Sequence, residues 1–403
     1  LLLSASDEPE PRFQGLWGAD PPQLLGVDVE GLEPGDAAVL DATTRGYPVE
    51  SLADVPAGEY VVQAVLNVYT TFHRADGATI QAHMDHWEGQ QWSRSPGNLY
   101  SPPQRMRVDP ASVTPVRIVL SERMPPIEPP EDTRYVKHMR FRSDILSQWW
   151  GRDMELGAVV VLPGGFDEHP DARYPVVYWQ GHFPRTFGSF RETPPDAGLT
   201  GAARARAESQ YRLFQDWTSG RLGRFLLVFL QHPTPFYDDS YAVNTANNGP
   251  YGDALTQELM PRVEEQFRGI GEPWARTLSG GSTGGWESLA WQVFYPDLFN
   301  GTWTFCPDPV DFRYFQLIDI YEDENAFYPG HPTFKKDPVR PLMRATDDQV
   351  YMTEREFSHL EAVLGTRGRS GEQMDIFFAV FGPRGEDGYP RPLFDKWTGV
   401  MDP

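Results

Sequence analysis

One glycine-rich segment, SGGSTGG at residues 279–285, restricts the possible folds more than any other feature of the sequence. A short β-like segment (276–278) precedes it, and a helix-like segment (285–295) follows it. A strand that leads through a tight glycine turn directly into a helix is typical of α/β sheets. The segment therefore predicts an α/β fold in which Ser282 lies in the turn between strand and helix.

The same segment contains the pattern Gly-x-Ser-x-Gly, which predicts a nucleophilic serine. A serine hydroxyl is a good nucleophile only where a base reaches it and where the transition-state oxyanion is stabilised. A strained strand-to-helix turn exposes the hydroxyl of Ser282 and directs the backbone N–H of Thr283 toward the oxyanion. Glycines flank the serine because a Cβ atom would clash in so tight a turn. The predicted turn residues are Gly280, Gly281, Ser282, Thr283 and Gly284.

The alternative interpretation of this segment is a glycine-rich loop that binds phosphate at a helix N-terminus. The segment has neither the lysine of a P-loop nor the glycine spacing of a dinucleotide-binding loop. We therefore prefer the nucleophile turn.

Strand-like and helix-like patterns alternate through the second part of the chain. A helix is predicted at 253–268, because apolar residues recur at every fourth position from Leu255 to Phe267, and Pro261 should kink it. The alternation predicts a mostly parallel sheet with flanking helices. The predicted strands are 157–162, 174–179, 224–230, 276–278 and 302–306.

The first 124 residues predict a different structure, a small β-sandwich. Residues 59–72 and 116–120 are rich in β-branched and aromatic residues, turn residues separate such segments, and no long helical period is present. Residues 1–6 could be the end of a cleaved signal peptide or the end of a β-strand, and we prefer the strand because the polar, turn-like segment 7–11 follows at once. A proline-rich linker at 125–133 separates this domain from the α/β domain at 134–403.

Several segments of the second domain resemble the esterase D-like branch of the α/β-hydrolase superfamily. Besides the turn itself, they are YPDLFNG at 295–301, ELMPRVE at 258–264 and RYPVVY at 173–178. The resemblance covers about residues 157–301 and leaves the N-terminal β-domain outside. It implies an α/β-hydrolase fold, ester hydrolysis through an acyl-enzyme on Ser282, and a secreted or periplasmic location.

The resemblance also implies a second oxyanion donor. In this branch, the strand corresponding to 174–179 leads into a His-Gly pair that begins the oxyanion loop, whereas residues 180–183 read Gln-Gly-His-Phe here. We expect a backbone N–H of His182 or Phe183 to complete the oxyanion hole. The alternative for His182 is a structural histidine that lines the cleft.

The acid and the base of a catalytic triad are harder to place. α/β-Hydrolases carry the serine, then an acid, then a histidine in chain order. Two histidines follow Ser282: His331 in a loop, and His359 in a predicted amphipathic helix, where we expect it to be exposed. Either could act as the base, and Asp308 or Asp311 could then pair with His359.

A second candidate acid is Asp387, which follows a strand predicted at 375–382. No histidine follows Asp387, so it cannot complete the order. Our preferred hypothesis is that the sequence is a fragment, truncated at both ends. C-terminal strands beyond Pro403 would then carry the triad Asp and His, and this fragment alone would be inactive.

The composition limits the possible partners. The net charge of −22 and the pI of about 4.8 exclude nucleic acid, because an acidic surface repels phosphate. No apolar run is long enough to insert into a membrane. We expect no cofactor and no metal, although His73, His83, Asp85 and His86 lie close in the sequence, because neighbouring strand residues point to opposite faces. The oligomeric state stays open.

Together these features predict a serine esterase that acts on a small-molecule or carbohydrate-linked ester. Two alternatives stay open: a serine peptidase of the same fold, and a non-catalytic, carbohydrate-binding pseudoenzyme.

Overall fold

The computed structural model of the protein describes residues 1–18, 20–112, 114–330 and 338–402. Its first part is all-β, as predicted, and consists of three antiparallel sheets with the strand orders β3-β2-β1-β4-β9, β10-β8-β5 and β6-β7. The strands are β1 (Leu2–Ser4), β2 (Gln23–Leu25), β3 (Gly46–Tyr47), β4 (Gly58–Gln63), β5 (Val65–Leu66), β6 (Thr70–His73), β7 (Thr79–Ala82), β8 (Leu99–Tyr100), β9 (Gln104–Val108) and β10 (Glu122–Arg123).

Two details of the β prediction are wrong. The segment 59–72 forms three strands rather than one, and residues 116–120 form no strand at all. Val116 and Val119 are exposed, so their β-branched side chains gain no packing partner. Strand propensity reflects packing against neighbours more than the backbone itself, and here the neighbours are missing.

The proline-rich segment behaves as a connection between sheets. Residues 124–133 contain no helix or strand, and no described strand pair joins the sheets on its two sides. However, one hydrophobic core contains Leu24 and Phe72 from the first part together with Val160 and Leu255 from the second. The two parts are packed together, and their division into separate domains stays a prediction.

The second part contains a six-stranded mixed sheet with the order β11-β12-β14-β13-β17-β18. The pairs β11/β12 and β12/β14 are antiparallel, whereas β14/β13, β13/β17 and β17/β18 are parallel. Its elements are β11 (Val136–Ser143), α1 (Asp144–Trp150), β12 (Met154–Val161), β13 (Val176–Gln180), α2 (Gly201–Thr218), β14 (Leu226–Gln231), β15 (Asn244–Thr245), β16 (Gly249–Pro250), α3 (Tyr251–Ala254), α4 (Met260–Gln266), β17 (Arg276–Gly281), α5 (Thr283–Phe294) and β18 (Gly301–Phe305).

The four parallel strands end at the same edge of this sheet. Gln180 of β13 pairs in register with Gly280 of β17, and Gly281 pairs with Phe305 of β18. The loops after these strands therefore start side by side. Ligands of open α/β sheets bind at this carboxyl edge, and Ser282 lies there.

Helices α3 and α4 form one helical stretch joined by a π-helical turn at Leu255–Leu259. The face predicted from Leu255 to Phe267 is buried, as expected. Pro261 has no N–H for the carbonyl four residues earlier, so the hydrogen-bond pattern changes in the preceding turn. The distortion predicted at Pro261 is therefore present as a wider, π-helical turn at Leu255–Leu259.

The described residues after β18 add a two-stranded hairpin and two helices. They are β19 (Pro341–Arg344), β20 (Val350–Thr353), α6 (Glu354–Leu364) and α7 (Gln373–Phe381). The strand predicted at 375–382 is wrong, because this segment is a helix whose side chains Ile376, Phe377 and Phe378 are all buried. A short apolar run fits a buried helix as well as a buried strand, and periodicity alone cannot separate them. No helix among the described residues combines the length and apolar character needed to cross a membrane.

The contact between α1 and the first part gives a stability test. Gly151 ends α1 at φ 69°, and a Cβ there would lie 2.1 Å from the carbonyl oxygen of His73. Gly77 has a similar φ of 87°, with open space around it. We expect Gly151→Ala to lower the free energy of unfolding by roughly 2–4 kcal/mol and Gly77→Ala by only about 1 kcal/mol, measured by urea denaturation. Equal losses would contradict the described packing.

Glu354 gives a pH test. It begins α6 and is 1 % exposed, and burial, with help from the charge of Glu361, raises its pKa to about 8. The folded protein therefore holds this proton more tightly than the unfolded chain, so stability falls as the pH rises from about 4.5 to about 8. Glu354→Gln should flatten this slope in denaturation measured across that range. Glu356→Gln, on the exposed side of the same helix, is the control, and an unchanged slope in Glu354→Gln would refute the assignment.

Candidate active site

Ser282 occupies a strained bend. It lies between β17 and α5 with φ 56° and ψ −122°, and it is exposed. A positive φ is unfavourable for a residue with a side chain, so the surroundings must impose it. Its N–H donates to the carbonyl of Phe305 at 3.0 Å, and its carbonyl accepts from Trp286 at 3.1 Å and from Asp308 at 3.2 Å. The strand, the bend and the helix thus occur in the predicted order.

The flanking glycines have different roles. A Cβ on Gly280 would lie 2.1 Å from the carbonyl oxygen of Gly284, and a Cβ on Gly284 would lie 2.1 Å from that of Gln180. A Cβ on Gly281 would have no atom closer than 3.7 Å. The expectation that all flanking glycines are sterically required is therefore wrong for Gly281, which faces solvent.

Asp308 is the side chain that contacts Ser282. Ser282 Oγ donates to Asp308 Oδ1 at 3.2 Å, while Thr283 Oγ1 and the Tyr241 hydroxyl donate to Asp308 Oδ2 at 2.9 and 2.6 Å. Gln373 of α7 donates to both Tyr241 and Thr283. Sequence reasoning missed Tyr241 and Gln373, because nothing in their local patterns connects them to the serine.

The other predicted acids and bases do not meet Ser282. His359 is buried rather than exposed, with Nε2 3.1 Å from the carbonyl of Trp397 and Nδ1 3.4 Å from Glu50. The pairing of Asp308 with His359 is therefore wrong, because Asp308 binds Ser282, Thr283 and Tyr241 instead. Asp311 caps the turn at Arg313 and pairs with its side chain.

No histidine of the described part of the chain is hydrogen-bonded to Ser282. His331 lies outside the described residues. The general base stays unassigned.

The backbone around His182 lies against the bend. The nearest atoms to a Cβ on Gly284 belong to Gln180 and to the backbone nitrogen of Gly181. Thr283 is the first residue of α5, a position whose N–H has no acceptor within the helix. The N–H groups of Thr283 and of the 181–183 loop thus start from adjacent strand ends, and their role in an oxyanion hole stays a prediction.

The His182 side chain forms a charged cluster beside the bend. Its Nδ1 lies 3.2 Å from Asp238 Oδ1 and 3.2 Å from Asp239 Oδ2. Burial alone would lower the pKa of His182, but hydrogen bonds and charges from Asp238 and Asp239 raise it to about 11. Burial raises the pKa of Asp238 to about 6. The alternative of a structural histidine that lines the cleft fits this placement.

A second polar group is buried next to this cluster. Glu287 of α5 and His232, which follows β14, are both fully buried, with His232 Nε2 4.0 Å from Glu287 Oε1. Burial raises the pKa of Glu287, with further contributions from the charges of Asp239 and Asp238, and burial lowers the pKa of His232 to about 4. Glu287 therefore favours its protonated form, and His232 is neutral.

The histidine cluster of the first part does not converge on one point. His83 Nε2 pairs with Glu88 at 2.5 Å, while the Asp85 carboxylate accepts from the backbone of Trp87 and Gln90. Among the described residues, His83, Asp85 and His86 form no group of converging metal ligands.

Comparison with known families identifies part of the chain. The model of the family described as "Putative esterase" matches residues 147–337. The match confirms the resemblance to α/β-hydrolase esterases, and this segment includes Ser282, Asp308 and His182. No curated protein matches the chain.

Solved structures resemble the chain only distantly. A ferulic acid esterase is 18 % identical with a TM-score of 0.31, covering 42 % of this chain and 59 % of its own. A ferulic acid esterase from Anaeromyces mucronatus is 18 % identical with a TM-score of 0.26, covering 57 % and 69 %. The S-formylglutathione hydrolase of Staphylococcus aureus is 14 % identical with a TM-score of 0.25, covering 41 % and 54 %. The chain thus spans 59 % of the length of the first structure.

The two kinds of glycine in the bend give a direct test. Gly284→Ala should lower the free energy of unfolding by roughly 2–4 kcal/mol, because its Cβ would meet backbone that cannot rotate away. Gly281→Ala, in the same bend, should change it by less than about 1 kcal/mol. Thermal or urea denaturation of both variants measures the difference. A Gly281→Ala variant as unstable as Gly284→Ala would show that the bend is not packed as described.

Proposed function

We propose that the protein, whose residues 147–337 match an esterase family, is a serine esterase that forms an acyl-enzyme on Ser282. The observation that carries this proposal is an exposed serine held at φ 56° between a strand and a helix, in a segment of that family. The substrate is a carboxylic ester of a small molecule or of a carbohydrate.

The proposed reaction uses the bend in two ways. The hydroxyl oxygen of Ser282 attacks the ester carbonyl carbon, and its proton passes to a base. The backbone N–H of Thr283, with one from the loop at His182, stabilises the oxyanion of the tetrahedral intermediate. Collapse expels the alcohol, and water then hydrolyses the acyl-enzyme by the same steps.

Asp308 is proposed to orient the nucleophile. One of its oxygens accepts from Ser282, while the other is fixed by Thr283 and Tyr241. A carboxylate held in this way limits the rotation of the serine side chain. A base near neutral pKa is still needed to take the proton efficiently, and a histidine is the usual group.

The histidine is proposed to come from outside the described residues. Strand β18 is an edge of the main sheet, and its Trp303 and Phe305 are 68 % and 54 % exposed. An exposed apolar edge is a place where another strand pairs. We propose that a strand pairs with this edge and brings the histidine to Ser282, and that Ser282 reacts only slowly without that histidine.

Added imidazole tests this proposal, because Ser282 is exposed. We expect the chain to hydrolyse p-nitrophenyl acetate slowly, and imidazole in solution to increase the rate. The increase should be absent in Ser282→Ala, which also corrects for hydrolysis by imidazole itself. A peptide anilide should show no comparable rate, and faster cleavage of the anilide would favour the peptidase. An identical rate in Ser282→Ala at all imidazole concentrations would favour the pseudoenzyme.

The role of Asp308 has its own variant. Asp308→Asn keeps the size of the side chain but removes the charge that accepts from Ser282. We expect the Ser282-dependent rate in imidazole to fall roughly 10–100-fold, because the nucleophile loses its orientation. Asp311→Asn, three residues further along and paired with Arg313, is the matched control and should keep the rate. An unchanged rate in Asp308→Asn would exclude the orienting role.

A further inference from the structure

The cluster of His182, Asp238 and Asp239 has the geometry of a metal site. The three side chains offer one nitrogen and two carboxylate oxygens, all within 4.8 Å of one another. His182 Nδ1 is 3.2 Å from both oxygens. Ligands that bind one ion at about 2.0–2.2 Å and at angles of about 90–110° are separated by about 2.8–3.6 Å. Both nitrogen–oxygen separations fall within that interval.

A simple ion pair leaves part of the cluster unexplained. His182 Nδ1 carries at most one proton, yet it lies 3.2 Å from Asp238 Oδ1 and 3.2 Å from Asp239 Oδ2, so the two oxygens compete for it. Asp239 Oδ2 has no other donor among the described residues. Asp239 is 1 % exposed, so water does not replace the missing donor from bulk solvent. A buried carboxylate oxygen without a donor is costly, whereas a cation would satisfy both carboxylates together.

Further unpartnered polar groups lie next to the cluster. Both carboxylate oxygens of Glu287 lack a hydrogen-bond partner among the described residues, although Glu287 is completely buried, and Nε2 of His232 and the side-chain amide of Gln180 lack one too. The charges of Asp239, His182 and Asp238 all act on Glu287. Asp238 and Asp239 therefore share one positive charge, that of His182, and a divalent cation in place of the His182 proton would balance both carboxylates.

We propose that His182, Asp238 and Asp239 bind one divalent transition-metal cation, of which Zn²⁺ and Mn²⁺ suit the mixed nitrogen and oxygen ligands. Binding would release the proton of His182 Nδ1 to solvent, because a nitrogen ligand must be deprotonated. His182 is 49 % exposed, so the ion can enter from solvent. This inference does not depend on ester hydrolysis, and it replaces the expectation from the sequence that the protein has no metal site.

The bound ion would also fix the backbone next to Ser282. It would join the loop after β13, which carries His182, to the loop after β14, which carries Asp238 and Asp239. These loops are at the carboxyl edge of the sheet, where the bend lies. The cation would thus hold the 181–183 segment in place against Gly284.

Calorimetric titration of the chelator-treated protein with ZnCl₂ and MnCl₂, in about 0.15 M salt to screen the acidic surface, tests the inference. We expect one site per chain, with affinity reduced at least tenfold in Asp238→Asn and in His182→Ala. Asp216→Asn is the matched control, because Asp216 also pairs with a cationic side chain and is exposed to the same extent, 23 % against 24 % for Asp238. Circular dichroism of each variant checks that it is folded.

Three results would overturn the metal site. They are no binding by the parent protein, equal affinity in the parent and in both site variants, and binding of Mg²⁺ as tight as that of Zn²⁺, which would indicate unspecific attraction to the acidic surface. Each of these three results is a measurement of metal binding and requires no assay of ester hydrolysis. A failed esterase assay therefore leaves the metal result unaffected, and the reverse also holds.

Discussion

The positive φ of Ser282 is held by backbone contacts rather than by its own side chain. Three backbone hydrogen bonds tie the residue to Phe305, Trp286 and Asp308, and hence to β18 and α5. The missing Cβ atoms of Gly280 and Gly284 let the bend close against the strand beside it. The exposure of the Ser282 hydroxyl and the position of the Thr283 N–H at the start of α5 both follow from this one conformation.

The surroundings of the bend are strongly polar and anionic. Asp308 contacts the serine, Asp238 and Asp239 pair with His182, and Glu287 is buried below them. Such a density of acids needs positive charge, either as protons on Glu287 and His182 or as a bound cation. The chain as a whole has a net charge of −22, and acidic side chains are also concentrated where the four parallel strands end.

The sequence predicts best what depends on neighbours along the chain. The turn at Ser282, the flanking strand and helix and the buried face from Leu255 were foreseeable, since each follows from local spacing. Contacts between distant segments were not foreseeable. Tyr241 reaches the site from the loop after β14 and Gln373 from the start of α7, and His359 is packed against Trp397 and Glu50. Residues 375–382 were predicted as a strand but form a helix. A segment that is apolar on all sides has no hydrophobic period, so its sequence does not separate a strand from a helix.

The central claim is that the folded bend makes Ser282 a nucleophile. Reaction of the native protein with a fluorophosphonate, followed by peptide mapping in a mass spectrometer, tests it most directly, because this reagent modifies activated serines. The account predicts modification at Ser282 in preference to every other serine, and its loss when the protein is first unfolded in urea. Modification of Ser282 to the same small extent in the folded and the unfolded chain would contradict the account.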